Sequence, residues 1–424
     1  NKFMSTINKH ILPDVKALKF AITSVIARLA SGLAQLYAIK FFLNNLSENE
    51  YTVIMLLLGY LPIFVLFEFG ISQTIQNKFN QRTISGSSCI KILIVHYIAL
   101  IAISCCVANI KFLPYLLLSD SLLTSKIIEN FSIGAALLIL MSSNLVVQRV
   151  LILLKLGYLH SIIILIQSIM QITGLYLYSQ TDNITQLYSI ILYVAPMLIP
   201  SAVILILLSI KIIPKTKHNI PIDTVSFVKQ SSGFFVLQFM SALLLAVDYF
   251  FLSMQDNSKE IVSYHIVTRF FYISHVVYMS YLIYGSKKIS KLTQTKLIHK
   301  IKISTILIGF LSVFSIFLLL LFLKETKYMN LISEKIDISY LLIITGLIYF
   351  IIRVFADINI TLINNLSNNK QAFIIYTIEI IVAIICMSFF LPIYGASGIY
   401  VSLSIAYLIG LIYFYFNKLL KFTN

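Results

Sequence analysis

Ser24, Arg28, Ser31 and Gln35 recur at i, i+4, i+7 and i+11 within the stretch TSVIARLASGLAQLYAIK, Thr23–Lys40. On a helix that spacing gathers them into one narrow polar stripe, with Val25, Ile26, Leu29, Leu33 and Leu36 on the other side. Arginine carries five N–H donors in a planar fork, which suits the oxygens of an anion. Six more charges lie inside apolar stretches: Arg149, Arg269, Arg353, Asp248, Asp357 and Glu379. A charge at the centre of a membrane helix costs roughly 2.5–3.5 kcal/mol on insertion scales. Left uncompensated, this set would cost on the order of 20 kcal/mol, more than the net stability of a folded domain. The charged side chains must therefore face one another or water.

The elements that carry them are membrane helices. Hydrophobic residues make up 59% of 424 positions, charged residues 11%, and mean hydropathy is +0.93, which excludes a soluble globular chain. Apolar runs of about 20 residues recur along the chain without strand-like alternation, so helices rather than barrel strands are expected. Twelve spans are expected: Val15–Leu43, Tyr51–Phe67, Ile90–Ile110, Phe131–Lys155, His160–Tyr178, Leu187–Ile210, Gln230–Ser253, Val262–Gly285, Ile303–Leu323, Ile338–Asn364, Gln371–Leu391 and Gly398–Phe416. The fourth and fifth are parted only by LGYLH, Leu156–His160. The N-terminal stretch shows no cleavage pattern of a removable signal peptide.

Basic residues fall on one side of this scheme, among them Lys78, Arg82, Lys91, Lys155, Lys217, Lys229, Lys287, Lys288, Lys291 and Lys370. Glu48, Glu50, Asp120, Glu129, Asp182, Asp256 and Glu260 fall on the other. Both termini are expected in the cytoplasm of a multi-pass inner-membrane protein. The formal charge of +16 is then a topology signal that also favours anionic lipid headgroups, with no call for nucleic acid. The link Lys211–Lys229 divides the chain into an N-lobe, residues 1–212, and a C-lobe, residues 213–424.

At about 1.5 Å per residue, Arg28, Arg353 and Glu379 fall near the midplane, with Asp248 and Arg269 roughly 7–10 Å to the outer side. Ion pairs Asp248–Arg269 and Arg353–Asp357 or Arg353–Glu379 are the structural expectation. No acid in the first six spans lies at the level of Arg28, which is expected on the wall of a wet cavity. Cys89, Cys105, Cys106 and Cys386 show no metal-ligand spacing, and no motif of a known catalytic or nucleotide site appears. No metal or organic cofactor is expected.

Four segments resemble the multidrug/oligosaccharidyl-lipid/polysaccharide exporter superfamily, in particular its Wzx-type O-antigen flippases. FEFGISQTIQNKF (Phe67–Phe79) is similar to its acidic-aromatic-Gly turn after helix two, with Glu68 where aspartate is usual. LLLAVDYFFLS (Leu243–Ser253) and VSYHIVTRFFYI (Val262–Ile273) resemble the segments of helices seven and eight. LPIYGASGIYVSLSIAYLIG (Leu391–Gly410) resembles the entry into the last helix. The resemblance implies an all-α integral membrane fold, twelve transmembrane helices in two six-helix lobes around a central cavity. Helices one, two, seven and eight would line that cavity, with alternating access. It further implies a cargo of undecaprenyl-diphosphate-linked oligosaccharide moved to the outer leaflet, by a non-enzymatic monomer that works alongside an O-antigen polymerase and a chain-length regulator. Arg28, Ser24, Ser31, Gln35, Arg149, Arg269 and Tyr272 become candidates for cargo binding. Gln238 and Ser241 could add hydrogen bonds to hydroxyls. Asp248, Asp357 and Glu379 become candidates for coupling to H+ or Na+. A cation-coupled drug exporter of the same superfamily would favour acids over arginine in its cavity. A membrane O-antigen polymerase would carry a large external loop, whereas the longest here, Lys111–Asn130, has no Arg or His.

Overall fold

A computed structural model describes residues 15–154, 156–212, 223–255, 257–289, 295–326, 338–365 and 369–423. These residues are helical nearly throughout: α1 (Val15–Asn45), α2 (Glu48–Gly59), α3 (Leu61–Val65), α4 (Ile71–Asn80), α5 (Gly86–Asn109), α6 (Leu113–Leu117), α7 (Ser125–Met141), α8 (Ser143–Leu153) and α9 (Gly157–Tyr178). The second half follows as α10 (Gln186–Ile212), α11 (Thr224–Ser253), α12 (Ser258–Ile289), α13 (Thr295–Glu325), α14 (Tyr340–Asn365), α15 (Asn369–Tyr394) and α16 (Ala396–Thr423). Residues 213–222 of the link Lys211–Lys229 and residues 290–294 of the link Gly285–Lys302 lie outside the described residues.

Local chemistry sets the helix ends. The backbone N–H and hydroxyl of Ser47 both donate to Glu50 at the start of α2. The side chains of Ser85, Thr124 and Asp223 accept from first-turn amides of α5, α7 and α11. Pro62 has no N–H to give, so the second expected span breaks at Tyr60 and restarts in α3, bent by 45°. The fourth span is likewise two helices, α7 and α8, meeting at Ser142. The break after α8 includes Leu154 and Leu156, and α9 begins at Gly157, three residues before the expected start of span five, so most of LGYLH is helical.

Ten helices among the described residues are long and apolar enough to cross a membrane, and the bent pair α2–α3 with its following turn is an eleventh candidate. The helix expected as span eight, α12, has 32 residues but does not qualify by apolarity. Its His265, Arg269 and His275 lie toward its neighbours. Outer helices show lipid-suited faces: Leu307, Leu311, Phe314 and Leu318 of α13 are all exposed.

A continuous apolar core joins both halves of the chain, from Phe42 and Leu56 to Phe350 and Tyr400. The halves meet where α2–α4 pack on α11 and where α1 and α2 pack on α12. Gly59 makes the first contact close, because a Cβ there would lie 2.2 Å from the Tyr249 ring.

Candidate functional site

A cavity of about 400 Å³ opens among α1, α2–α3, α7–α10 and α12. The polar stripe read from the sequence supplies one wall, with Arg28, Ser31 and Gln35 of α1 lining it. Arg269 and Tyr272 of α12 face them. Arg28 interacts electrostatically with Tyr272, and His160 of α9 and His275 of α12 lie within its field. The side chain of Ser24 lies outside the described residues.

Five carboxamides line the cavity: Gln35, Asn144, Gln148, Gln167 and Gln171. All but Gln35 escaped the sequence reading. Three of them hold the backbone of α10, a helix interrupted by Pro196 and Pro200. Gln171 Nε2 donates to the Tyr193 carbonyl at 2.7 Å. Gln167 Nε2 and Asn144 Nδ2 donate to the Met197 carbonyl at 2.6 and 3.1 Å. Each of these carbonyls lies three residues before a proline, in the turn that the missing N–H loosens. A usable signal was present: Gln167 and Gln171 stand i,i+4 on α9, as Pro196 and Pro200 do on α10.

The same device fixes Arg269. Its Nη2 donates at 3.2 Å to the carbonyl of Leu58, which lies four residues before Pro62 and has lost its usual helical donor. Its Nε donates to His265 Nε2 at 3.2 Å and its Nη1 to Gln35 at 3.4 Å. Arg269 therefore spends its fork on the protein itself while keeping its charge at the cavity edge.

The expected Asp248–Arg269 pair does not form. Asp248 turns away and accepts from the Tyr264 hydroxyl at 2.6 Å and the Tyr249 amide at 2.7 Å. The two side chains instead find separate partners, Asp248 with Tyr264 and Tyr249, and Arg269 with His265, Gln35 and Leu58. Among the described residues α11 adds no side chain to the cavity lining, although helix seven was expected on its wall. Arg149 also lies outside the lining, with Nη1 donating to Gln76 at 2.8 Å. Of the two alternatives for Arg353, the structure has Arg353–Asp357, with Nε 3.5 Å from Oδ2. Asp357 also takes His275 at 3.1 Å and the Tyr278 hydroxyl at 2.6 Å. Glu379 is buried away from Arg353, packed closely against Gly410, and its Oε2 has no hydrogen-bond partner among the described residues.

The cluster around Asp357 touches the cavity through aromatic rings. Tyr272 stacks on His275 at 4.9 Å, and the Arg353 guanidinium lies 5.8 Å from the Tyr272 ring. One residue of the cavity wall thus reaches both His275 and Arg353, the two groups paired with Asp357. Among the described residues the lining holds two arginines, one histidine and five carboxamides, and no Asp or Glu.

No protein-family model matches the chain. A protein of Salmonella typhi provisionally named an O-antigen transporter is 23% identical over 421 residues, covering 92% of this chain and 93% of that protein. Among solved structures, an inward-facing multidrug resistance MATE family transporter of the MOP superfamily superposes with a TM-score of 0.67 at 12% identity, over 94% of this chain and 99% of that one. The lipid II flippase MurJ in an inward closed conformation gives 0.64 at 19% identity, over 95% and 87%. The chain is a polytopic membrane protein with the fold of MOP-superfamily transporters, related at low identity to O-antigen transporters.

Proposed function

We propose that this protein is a transporter that moves an undecaprenyl-diphosphate-linked oligosaccharide from the cytoplasmic to the outer leaflet by alternating access of two six-helix lobes. The cavity carries this reading. Two arginines, with no carboxylate among the described lining residues, suit an anionic headgroup and would repel a cationic drug. The carboxamides around them offer donors and acceptors for hydroxyls. The curated relatives, named for O-antigen transport or export, support the same cargo class. Arg28, Ser31, Gln35 and Tyr272 would meet the cargo, whereas Arg269 would add charge from its fixed position. Asp357 beside His275 and the buried Glu379 are the best-placed groups for H+ coupling.

Reconstitution tests this directly. Proteoliposomes carrying a diphosphate-linked oligosaccharide in one leaflet should expose it on the other faster than empty vesicles do. Movement of a cationic dye with no movement of the glycolipid would overturn the reading. The twelve-span scheme has its own check. A reporter fused after Thr181 should report the external side, and one after Arg82 the cytoplasm. The reverse result at either position would break the scheme.

A further inference from the structure

The turn between α3 and α4 buries a carboxyl against α11. Leu66–Glu68 form a single 3-10 turn, and Phe69 and Gly70 follow in the left-handed region at φ 54° and 69°. That reversal sets Gly70 against the backbone of α11, where a Cβ would lie 2.5 Å from the Ser231 carbonyl oxygen. Polar contacts then zip the two helices together. Ser231 Oγ meets Thr74 Oγ1 at 3.0 Å, and Lys78 Nζ donates to Ser226 Oγ at 2.9 Å. Glu68 sits at the deep end of this zipper and is 1% exposed.

Its hydrogen bonds are unbalanced. Glu68 Oε1 accepts from Gln238 Nε2 of α11 and from Ser72 Oγ at 3.0 Å. Glu68 Oε2 and Gln238 Oε1 are both buried and both lack a partner among the described residues. Two acceptors facing one problem need a single shared hydrogen. A proton on Oε2 would supply it: the carboxylic acid would donate to the amide oxygen while its other oxygen accepts from the amide nitrogen. One proton satisfies both orphan atoms. The charged side chain facing this site is Arg149 of α8, which acts on Glu68 through space while its Nη1 is held by Gln76. On α11 the facing group is the neutral Gln238.

We infer that Glu68 and Gln238 form a proton-binding site between the two halves, an acid–amide pair that holds α3–α4 against α11 only while Glu68 is protonated. Parting the helices would expose the carboxyl to water and release the proton, and resealing would require taking one up. The inference concerns the empty protein and does not depend on the cargo. Lower pH should favour the closed zipper, by up to about tenfold in the closed-to-open ratio per pH unit for one coupled proton.

Pulsed electron spin resonance between labels at Gln81 and Val225 of the full-length protein, with other cysteines replaced, reads the opening. In the otherwise unchanged protein the short-distance population should grow as pH falls. Glu68→Gln reproduces the protonated form's donor and acceptor, so it should stay closed at every pH. An unchanged pH response in Glu68→Gln, or no pH response in its parent, would overturn the proposal. A second measurement needs no change at Glu68. With Thr74→Cys and Ser231→Cys joined by a disulfide, the infrared band of a buried protonated carboxyl should persist to higher pH than after reduction. A band indifferent to the crosslink would equally reject the site.

Discussion

Replacing Arg28 by alanine should cut transport of an anionic lipid-linked glycan by about ten- to a hundredfold, with the amount of protein in the membrane unchanged. The size follows from losing a charge-assisted interaction with cargo, worth about 1.5–3 kcal/mol. Arg28 lines the cavity from α1, opposite Tyr272, and the described lining residues include no Asp or Glu. Its loss therefore removes positive charge from the place where an anion would have to shed its water. Arg28→Lys should recover part of the rate, since an ammonium keeps the charge and loses the planar fork. Flux in proteoliposomes, normalised to reconstituted protein, separates the effects. Normal flux in Arg28→Ala, or a protein that fails to accumulate, would make the residue structural.

The largest loss of stability is expected from Asp357→Ala. Arg353 is 5% exposed, and its charged partner is Asp357 at 3.5 Å. Its Nη1 contacts the Tyr349 hydroxyl, and aromatic rings surround the rest. Removing the carboxylate strands a buried guanidinium and also deprives His275 and Tyr278 of their acceptor. Breaking one side of such a pair costs about 3–5 kcal/mol, whereas replacing both sides by apolar residues is often close to neutral. Arg353→Met combined with Asp357→Leu should therefore unfold at a higher temperature in detergent than Asp357→Ala alone. The opposite order would mean that the pair does not hold these helices. Asp357→Asn asks a separate question, because it keeps a hydrogen-bonding group while removing the charge. Intact folding with lost pH dependence of flux would support a coupling role for Asp357.

The sequence placed the charges within apolar helices but said little of the directions in which they point. Spacing along α1 was enough to bring Arg28, Ser31 and Gln35 to one cavity wall, since a single helix carries all three and its period is known. Asp248 and Arg269 needed a second coordinate. Counting residues gives them one expected height, but the rotation of each helix about its own axis depends on packing against aromatic neighbours such as Tyr249 and Tyr264. Arg353 and Asp357 escaped that uncertainty because an i,i+4 pair lies on one helix. The breaks at Tyr60 and Ser142 were lost to hydropathy averaging, although Pro62 was visible beside the first. The carboxamides of α8 and α9 escaped notice, because none of them belongs to a motif with a chemistry of its own. Only the matching interval of two prolines on the next helix gives them a purpose.

The kinked α10 has a consequence for how the protein is made. Two of its carbonyls, at Tyr193 and Met197, draw hydrogen bonds from Gln171, Gln167 and Asn144 of helices that precede it in the chain. Pro196 and Pro200 cannot return N–H groups to the carbonyls of Leu192 and Pro196. Unsatisfied backbone is costly in hydrocarbon, so α10, loosened at these turns, is a poor solitary passenger in the bilayer. Its donors, however, leave the ribosome first. Synthesis from the N-terminus thus delivers α8 and α9 to the membrane before the helix that needs them, and biogenesis in that order spares α10 a period without partners.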